Sequence, residues 1–163
     1  MAILTLPQNY HIVSATPTTT TNATVTYTNI SMKNVQMVWI VAYYLQAQSH
    51  ATVLTPKLGS VVATCTTAIT FTAPWWLNSD TSTNGTDALV AQTAASTFTL
   101  AAGATNQILV VQIDPAACLA QGATFDCLGA TSATSSQATN FVTAFYICAA
   151  RYPQATPPTL LTD

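Results

Sequence analysis

The segment VQMVWIVAYYL, residues 35–45, decides the fold. It is apolar at both odd and even positions, and it is bounded by Lys33 and Asn34 before it and by the polar residues 46–49 after it. β-Branched and aromatic residues dominate it and no polar residue recurs at helical spacing, so a strand is favoured over a helix. A strand that is apolar on both faces is typical of one covered on both sides, either in the centre of a sandwich or against another subunit.

Strand-like patterns recur along the rest of the chain. Threonines at 24, 26 and 28 alternate with other residues, which predicts a strand with one buried face at 24–29. A short helical turn is expected at 114–120, with Asp114 as the N-cap and Pro115 in the first position. Further strands are expected at 61–71, 89–92, 96–100, 107–113 and 140–151.

Short strands separated by turns predict an all-β protein, a single-domain antiparallel β-sandwich or jelly-roll-like barrel. The domain is expected at residues 1–152. Residues 153–163 contain three prolines, which are incompatible with a helix or a central strand. They are therefore expected to form an extended C-terminal tail.

The chain of 163 residues contains only three Lys or Arg and five acidic residues, all of them Asp. Three cations cannot form the basic surface that nucleic-acid binding needs. The longest apolar stretch is far shorter than the ~20 residues of a membrane-spanning helix, so no membrane partner is expected. The first residues lack the charged and apolar regions of a secretory signal, and the protein is expected to stay in the compartment where it is made.

Four cysteines, Cys65, Cys118, Cys127 and Cys148, have neither the spacing of a zinc site nor that of a redox motif. We expect buried thiols in a reducing cytosol. The alternative is a disulfide between Cys118 and Cys127, which requires oxidation after release from the cell.

Side chains for catalysis are scarce. His11 and His50 are the only histidines, there is no Glu, and no Gly-x-Ser-x-Gly motif is present. The turn from Asp80 to Asp87 lacks the Glu and the alternating acids of a calcium loop, and the glycines never cluster as in a phosphate loop. We therefore predict no enzymatic activity, no cofactor and no metal site.

Two features predict contact surfaces. The first is Trp75, Trp76 and Leu77, which follow Pro74 at the predicted exit of a strand. Alternation sends the two indoles to opposite faces, so that one enters the core and the other contacts a neighbour. The alternative is that both tryptophans seal the end of the sandwich.

The second feature is the tail. Pro157 and Pro158 precede the apolar pair Leu160 and Leu161. An apolar pair on an extended tail is expected to dock on a partner, because it gains nothing from exposure to water.

The surface composition favours permanent assembly. Thr, Ser, Asn, Gln and Ala take the places that charged residues usually hold, and their desolvation costs less than that of an ion. A monomer with so little charge is poorly protected against association. We therefore expect a homo-oligomer within a large assembly.

Several blocks of the chain resemble small virion proteins of tailed bacteriophages that are encoded near the capsid genes. The resemblance covers most of the chain and lies in MAILTLPQNYH at 1–11, VQIDP at 111–115, FDCL at 125–128, SSQATNFV at 135–142 and RYPQATPP at 151–158, continuing to Asp163. It transfers no catalytic residues.

The resemblance implies a non-enzymatic head decoration or cement protein. Such a protein binds the shell of major capsid protein and neighbouring copies of itself, is assembled in the host cytoplasm and resides in the virion. Alternatives are another virion subunit, in the minor capsid, neck or tail, and a glycan- or receptor-binding module that uses Trp75 and Trp76 as stacking platforms.

Overall fold

The computed structural model describes residues 6–82, 85–103, 105–152 and 159–162. Within these ranges the chain forms twelve strands and two short helices. In chain order they are α1 Leu6–Asn9, β1 Tyr10–Thr20, β2 Val25–Thr26, β3 Ile30–Ser31, β4 Val35–Gln46, β5 Thr52–Gly59, β6 Thr67–Ala68, β7 Trp75–Asn78, β8 Val90–Ala91, β9 Phe98–Leu100, β10 Gln107–Ile113, α2 Pro115–Gln121, β11 Cys127–Ser132 and β12 Asn140–Ala150.

The strands form two antiparallel sheets packed against each other, and the predicted all-β sandwich is confirmed. Sheet A has the order β1-β12-β4-β10-β7-β8. Sheet B has the order β2-β11-β5-β6, with β3 also on β11 and β9 also on β5. Strands that are neighbours in a sheet are mostly far apart in the sequence, so pairing between distant segments holds the sandwich together.

Strand β4 lies inside sheet A, between β12 and β10. From Val38 onward its even-numbered residues face sheet B, and Val38, Ile40 and Ala42 are completely buried there. The same alternation holds in β10 and β12, whose inward side chains include Leu109 and Tyr146. The inner faces of the two sheets therefore supply one core, as expected for sheet-on-sheet packing.

Three hydroxyl groups join the sheets across this core. Ser132 of β11 shares hydrogen bonds with Tyr27 (2.8 Å) and with Tyr44 of β4 (2.6 Å). Burial raises the pKa of both tyrosines, so both phenols are neutral. The cluster satisfies polar groups that would otherwise cost free energy in an apolar interior.

One end of sheet B is covered on its outer side by its own chain. Residues 60–66 fold back there: the Asn29 side-chain amide donates to the Val62 carbonyl (2.8 Å), and a Cβ added to Gly59 would lie 2.1 Å from the Thr64 carbonyl oxygen. A Cβ added to Gly129 of β11 would lie 2.1 Å from the Asn29 side-chain oxygen. Glycine at 129 therefore permits the close approach of this covering layer.

The strand predicted at 61–71 is wrong. Val61 and Thr64 form a tight turn, closed by the Thr64 amide on the Val61 carbonyl (3.1 Å), and the regular strand in this region is only β6. The many β-branched residues indicate strands only when they also find a pairing partner. The strands predicted at 24–29, 89–92 and 96–100 are shorter in the structure, as β2, β8 and β9.

The predictions at 107–113 and at 140–151 are confirmed as β10 and β12, and the helix after Asp114 is confirmed as α2. The Asp114 carboxylate accepts a hydrogen bond from the Ala116 amide at 2.8 Å, and Pro115 begins the helix. This is the N-cap arrangement that leaves the fewest unsatisfied amides.

The pattern did not predict β5, which contains Pro56. Its neighbour on one side is discontinuous, because β9 pairs with residues 52–54 and β6 with 57–58. The Pro56 carbonyl accepts from the Ile69 amide on that side (3.3 Å), and the N–H that proline lacks would point the same way. The ladder to β11 therefore loses no donor.

Candidate interaction surface

The tryptophan pair begins a strand instead of following one, because Trp75 is the first residue of β7 and pairs with Val111 of β10. Its ring packs edge-on against Phe98 at 5.6 Å between centroids, and its indole N–H donates to the Thr93 carbonyl at 2.8 Å. The prediction of opposite faces is confirmed: Trp75 packs against the core, whereas Trp76 pairs with an outward position of β10.

Leu77 has the same orientation as Trp75 and also packs against the core. Part of the apolar surface of these two residues is therefore used within the chain, and their expected contact with a partner stays a prediction. Trp76 is the member of the group that faces away from sheet B.

The prediction that the tail residue Leu160 docks on a partner is wrong. It is only 4% exposed, it belongs to the core of its own chain, and its carbonyl accepts from the Ser31 amide at 2.7 Å. The apolar pair therefore docks, but Leu160 docks on the same molecule. Leu161 is 48% exposed and stays available to a partner. Pro157 and Pro158 lie outside the described residues.

All four cysteines carry thiols, so the alternative of a Cys118–Cys127 disulfide is wrong. Cys118, Cys127 and Cys148 are buried, as expected, and Cys65 is half-buried. Burial raises the pKa of the Cys118 thiol to about 12 and that of Cys148 to about 12. Both are therefore neutral at pH 7 and poor nucleophiles.

The side of sheet A that faces away from sheet B is apolar; we call it the outer face. Strand β4 contributes Met37, Trp39, Val41, Tyr43 and Leu45. These are the odd-numbered positions of the segment that is apolar on both sides. All five are partly or well exposed, in contrast to the buried even-numbered positions.

The strands on either side of β4 continue this surface. Ile108 and Val110 point outward from β10, and Phe141, Phe145 and Ile147 point outward from β12. Phe145 and Val110 are the register partners of Val41, so the three form a row across the sheet. Phe145 is 44% exposed.

The flanking strands extend the outer face at both edges. Trp76 of β7 pairs with Val110 and lengthens the central row on one side. On the other side Ile12 of β1 pairs with Ile147 and is 56% exposed. The apolar side chains therefore run across five of the six strands.

No charged residue occupies an outward position of β1, β4, β7, β10 or β12. The charged groups of the described chain lie in loops, beside the helix α2 and in sheet B: Lys33, Lys57, Asp80, Asp87, Asp114, Asp126 and Arg151. Asp87, in the loop after β7, lines a pocket together with Ile108 at one edge of the outer face. An apolar surface of this extent with so little charge is typical of a protein contact.

Sequence reasoning identified only Trp76 and the β4 segment of this surface. The signal for the rest was present, because residues 107–113 and 140–151 are also apolar at both parities. The sequence does not show that these segments form one surface, because the order β12-β4-β10 comes from pairing between distant segments.

No protein-family model and no curated protein matches the chain. Among the described residues, no group of three or more His, Cys, Asp or Glu lies together as metal ligands would. None of the helices in the described ranges has the length and apolarity to cross a bilayer.

Proposed function

We propose that this chain is a non-enzymatic structural subunit of a virion, a head decoration or cement protein that binds the shell of major capsid protein and neighbouring copies of itself. One observation carries the proposal: sheet A has an apolar outer face at the surface of the folded chain, and its outward strand positions hold no charge. The phage assignment itself is supported by the sequence blocks that resemble virion proteins.

Such a surface suits permanent assembly. Interface cores are depleted of charged groups, and an apolar patch larger than a few hundred Å² on a monomer marks a contact site. A subunit that associates with the assembled shell and not with its separated components stabilises the assembly by mass action. Contacts that the outer face makes between neighbouring copies on the shell therefore add to the stability of the capsid.

The core chemistry supports a structural role. The buried thiols of Cys118 and Cys148 are neutral because burial raises their pKa, and the phenols of Tyr27 and Tyr44 bond to Ser132. The three hydroxyls join the two sheets, and the two thiols are buried. They offer no charged nucleophile to a substrate.

The test is the composition of purified particles from the phage that carries this gene. We expect the chain to co-sediment with the particles in a copy number that approaches that of the major capsid protein. Trp76→Ala should lower its occupancy several-fold while the isolated protein stays folded. Leu119→Ala, an exposed leucine on α2, is the control and should leave occupancy unchanged.

Absence of the chain from particles would refute the virion role. A small fixed copy number would refute decoration and favour a neck or tail component. Unchanged occupancy of the Trp76 variant would remove the outer face from the explanation.

A further inference from the structure

The two sheets differ in how their outer sides are covered. Residues 64–65 and Asn29 cover the outer side of sheet B at Gly59 and Gly129. Every described strand belongs to one of the two sheets, so no third sheet covers the outer face of sheet A. Phe145, in the middle of that face, is exposed. The described chain thus leaves the middle of the outer face of sheet A uncovered.

The size of the outer face matches one side of a specific interface. The outward residues of β4 run from Met37 to Leu45, which at ~3.3 Å per residue spans about 26 Å. Five strands at ~4.8 Å spacing give a width of about 24 Å. Because β7 has only four residues, the product of about 620 Å² per molecule, or about 1,250 Å² for a pair, is the most that the face can bury. It reaches the lower end of the range of about 1,200–2,000 Å² for stable complexes.

The lack of charge at the outward strand positions favours another neutral, apolar sheet as the occupant. A partner chosen by charge would need complementary ions on this face, and its outward strand positions hold none. The net charge of the whole chain is only −2, so two copies repel each other weakly. Face-to-face packing of apolar sheets is also the contact that the inner sides already make.

The outer face has both an exposed side chain and a depression that could receive such a side chain from a second copy. Ile12 protrudes beside the row of Trp39 and Ile147, on one side of the central row. A depression of about 220 Å³ lies on the other side of that row, lined by side chains that include Tyr43, Phe141 and Thr143. A two-fold axis along the central row exchanges the two sides. Each Ile12 then meets the depression of the other molecule.

We propose that two copies of this chain pack through the outer faces of sheet A, with Ile12 of each copy seated in the depression of the other. The inference deepens the proposed function, on whose interaction surface it rests, by naming the occupant. The contact is isologous, so every contact is made twice and the assembly closes at two copies.

The first test is the mass of the purified full-length protein in solution, by light scattering or sedimentation, without particles. We expect a dimer at concentrations well above about 1 µM. Phe145→Lys should weaken association at least about tenfold, because it places a charge at the centre of an apolar interface. Val61→Lys, at a residue 46% exposed on the sheet B side, is the matched control and should stay dimeric.

The second test addresses the register. Ile12→Lys and Thr143→Asp should each weaken the dimer, and the double variant should recover at least part of the lost association. Recovery occurs because the lysine of one copy then faces the aspartate of the other. Circular dichroism of each variant verifies that it is folded.

A monomeric wild-type protein overturns the inference, as does a dimer that Phe145→Lys leaves intact. Failure of the double variant to recover overturns the arrangement about the two-fold axis. If deletion of residues 1–5 converts a monomer to a dimer, the chain's own N-terminal segment is the occupant, and the inference is wrong. If the protein is a dimer that does not bind particles, the virion role is refuted and the dimer interface stands. If it is a monomer that binds particles, the dimer interface is refuted and the virion role stands.

Discussion

Replacement of Ser132 by alanine tests how the two sheets are joined. The Ser132 hydroxyl lies between the phenol oxygens of Tyr27 and Tyr44, at 2.8 and 2.6 Å. Residues 132 and 44 belong to different sheets, so the three hydroxyls form a polar bridge through the core. Removing one oxygen atom changes the packing little and changes the hydrogen bonding greatly.

The loss of stability depends on the hydrogen bonds that the two phenols can still make without Ser132. Their oxygens are 3.4 Å apart, a long contact in which one phenol can donate to the other. The second phenol then has no acceptor in the cluster. A buried donor without a partner costs about 1–3 kcal/mol, and with the lost hydrogen bonds we expect Ser132→Ala to destabilise the fold by about 2–3 kcal/mol. At ~2–4 °C per kcal/mol for a chain of this size, Tm falls by about 4–12 °C.

The assay is denaturant and thermal unfolding at fixed protein concentration, because dimerisation makes Tm depend on concentration. Ser60→Ala, at an exposed residue after β5, is the control and should change stability by less than about 0.5 kcal/mol. Adding Tyr27→Phe and Tyr44→Phe to Ser132→Ala removes all three polar groups and should recover about 1–2 kcal/mol. A neutral Ser132→Ala, or a triple variant no more stable than the single one, would refute the bridge.

Two further predictions concern the tail and the thiols. Leu160→Ala should destabilise the chain by about 2–3 kcal/mol because it opens a cavity at a buried site, whereas exposed Leu161→Ala should change stability by less than about 0.5 kcal/mol; equal effects in urea unfolding would contradict the placement of Leu160. The pKa of Cys118 and of Cys148 is raised from 9.0 to about 12, so the unfolded chain loses these protons first as the pH rises. Stability should then be fully present below pH ~9 and fall above it by up to about 1.4 kcal/mol per pH unit for each thiol. Unfolding between pH 8 and 10.5 under reducing conditions measures the slope, and a Cys118→Ala/Cys148→Ala variant with the same slope would rule out the thiols as its cause.

The candidate surface shows how a sequence pattern can be correct and incomplete. The segment 35–45 predicted a strand covered on both sides, with two alternatives for the second cover. In the structure sheet B covers one side, and the outer face is left for a partner. The apolar pattern of this segment predicted a cover on each side. The strand order shows that the second cover is not part of the sandwich.

The sequence alone determined the β class, the strands β4, β10 and β12, and the capped start of α2. These depend on residues that are neighbours in the chain: β-branched and aromatic runs favour extended backbone, and an Asp-Pro pair satisfies or omits the first helical amides. The low charge of the chain likewise needs no coordinates.

Tertiary structure decided the rest, because it depends on which distant segments pair. Pro56 is tolerated in β5 by the gap between β9 and β6, and Leu160 finds its site beside Ser31. The row that joins Val41 to Val110 and Phe145 forms only when segments that are far apart in sequence align in register. Local preference selects the conformation of each strand, whereas long-range pairing selects its neighbours and therefore the surface that the molecule presents.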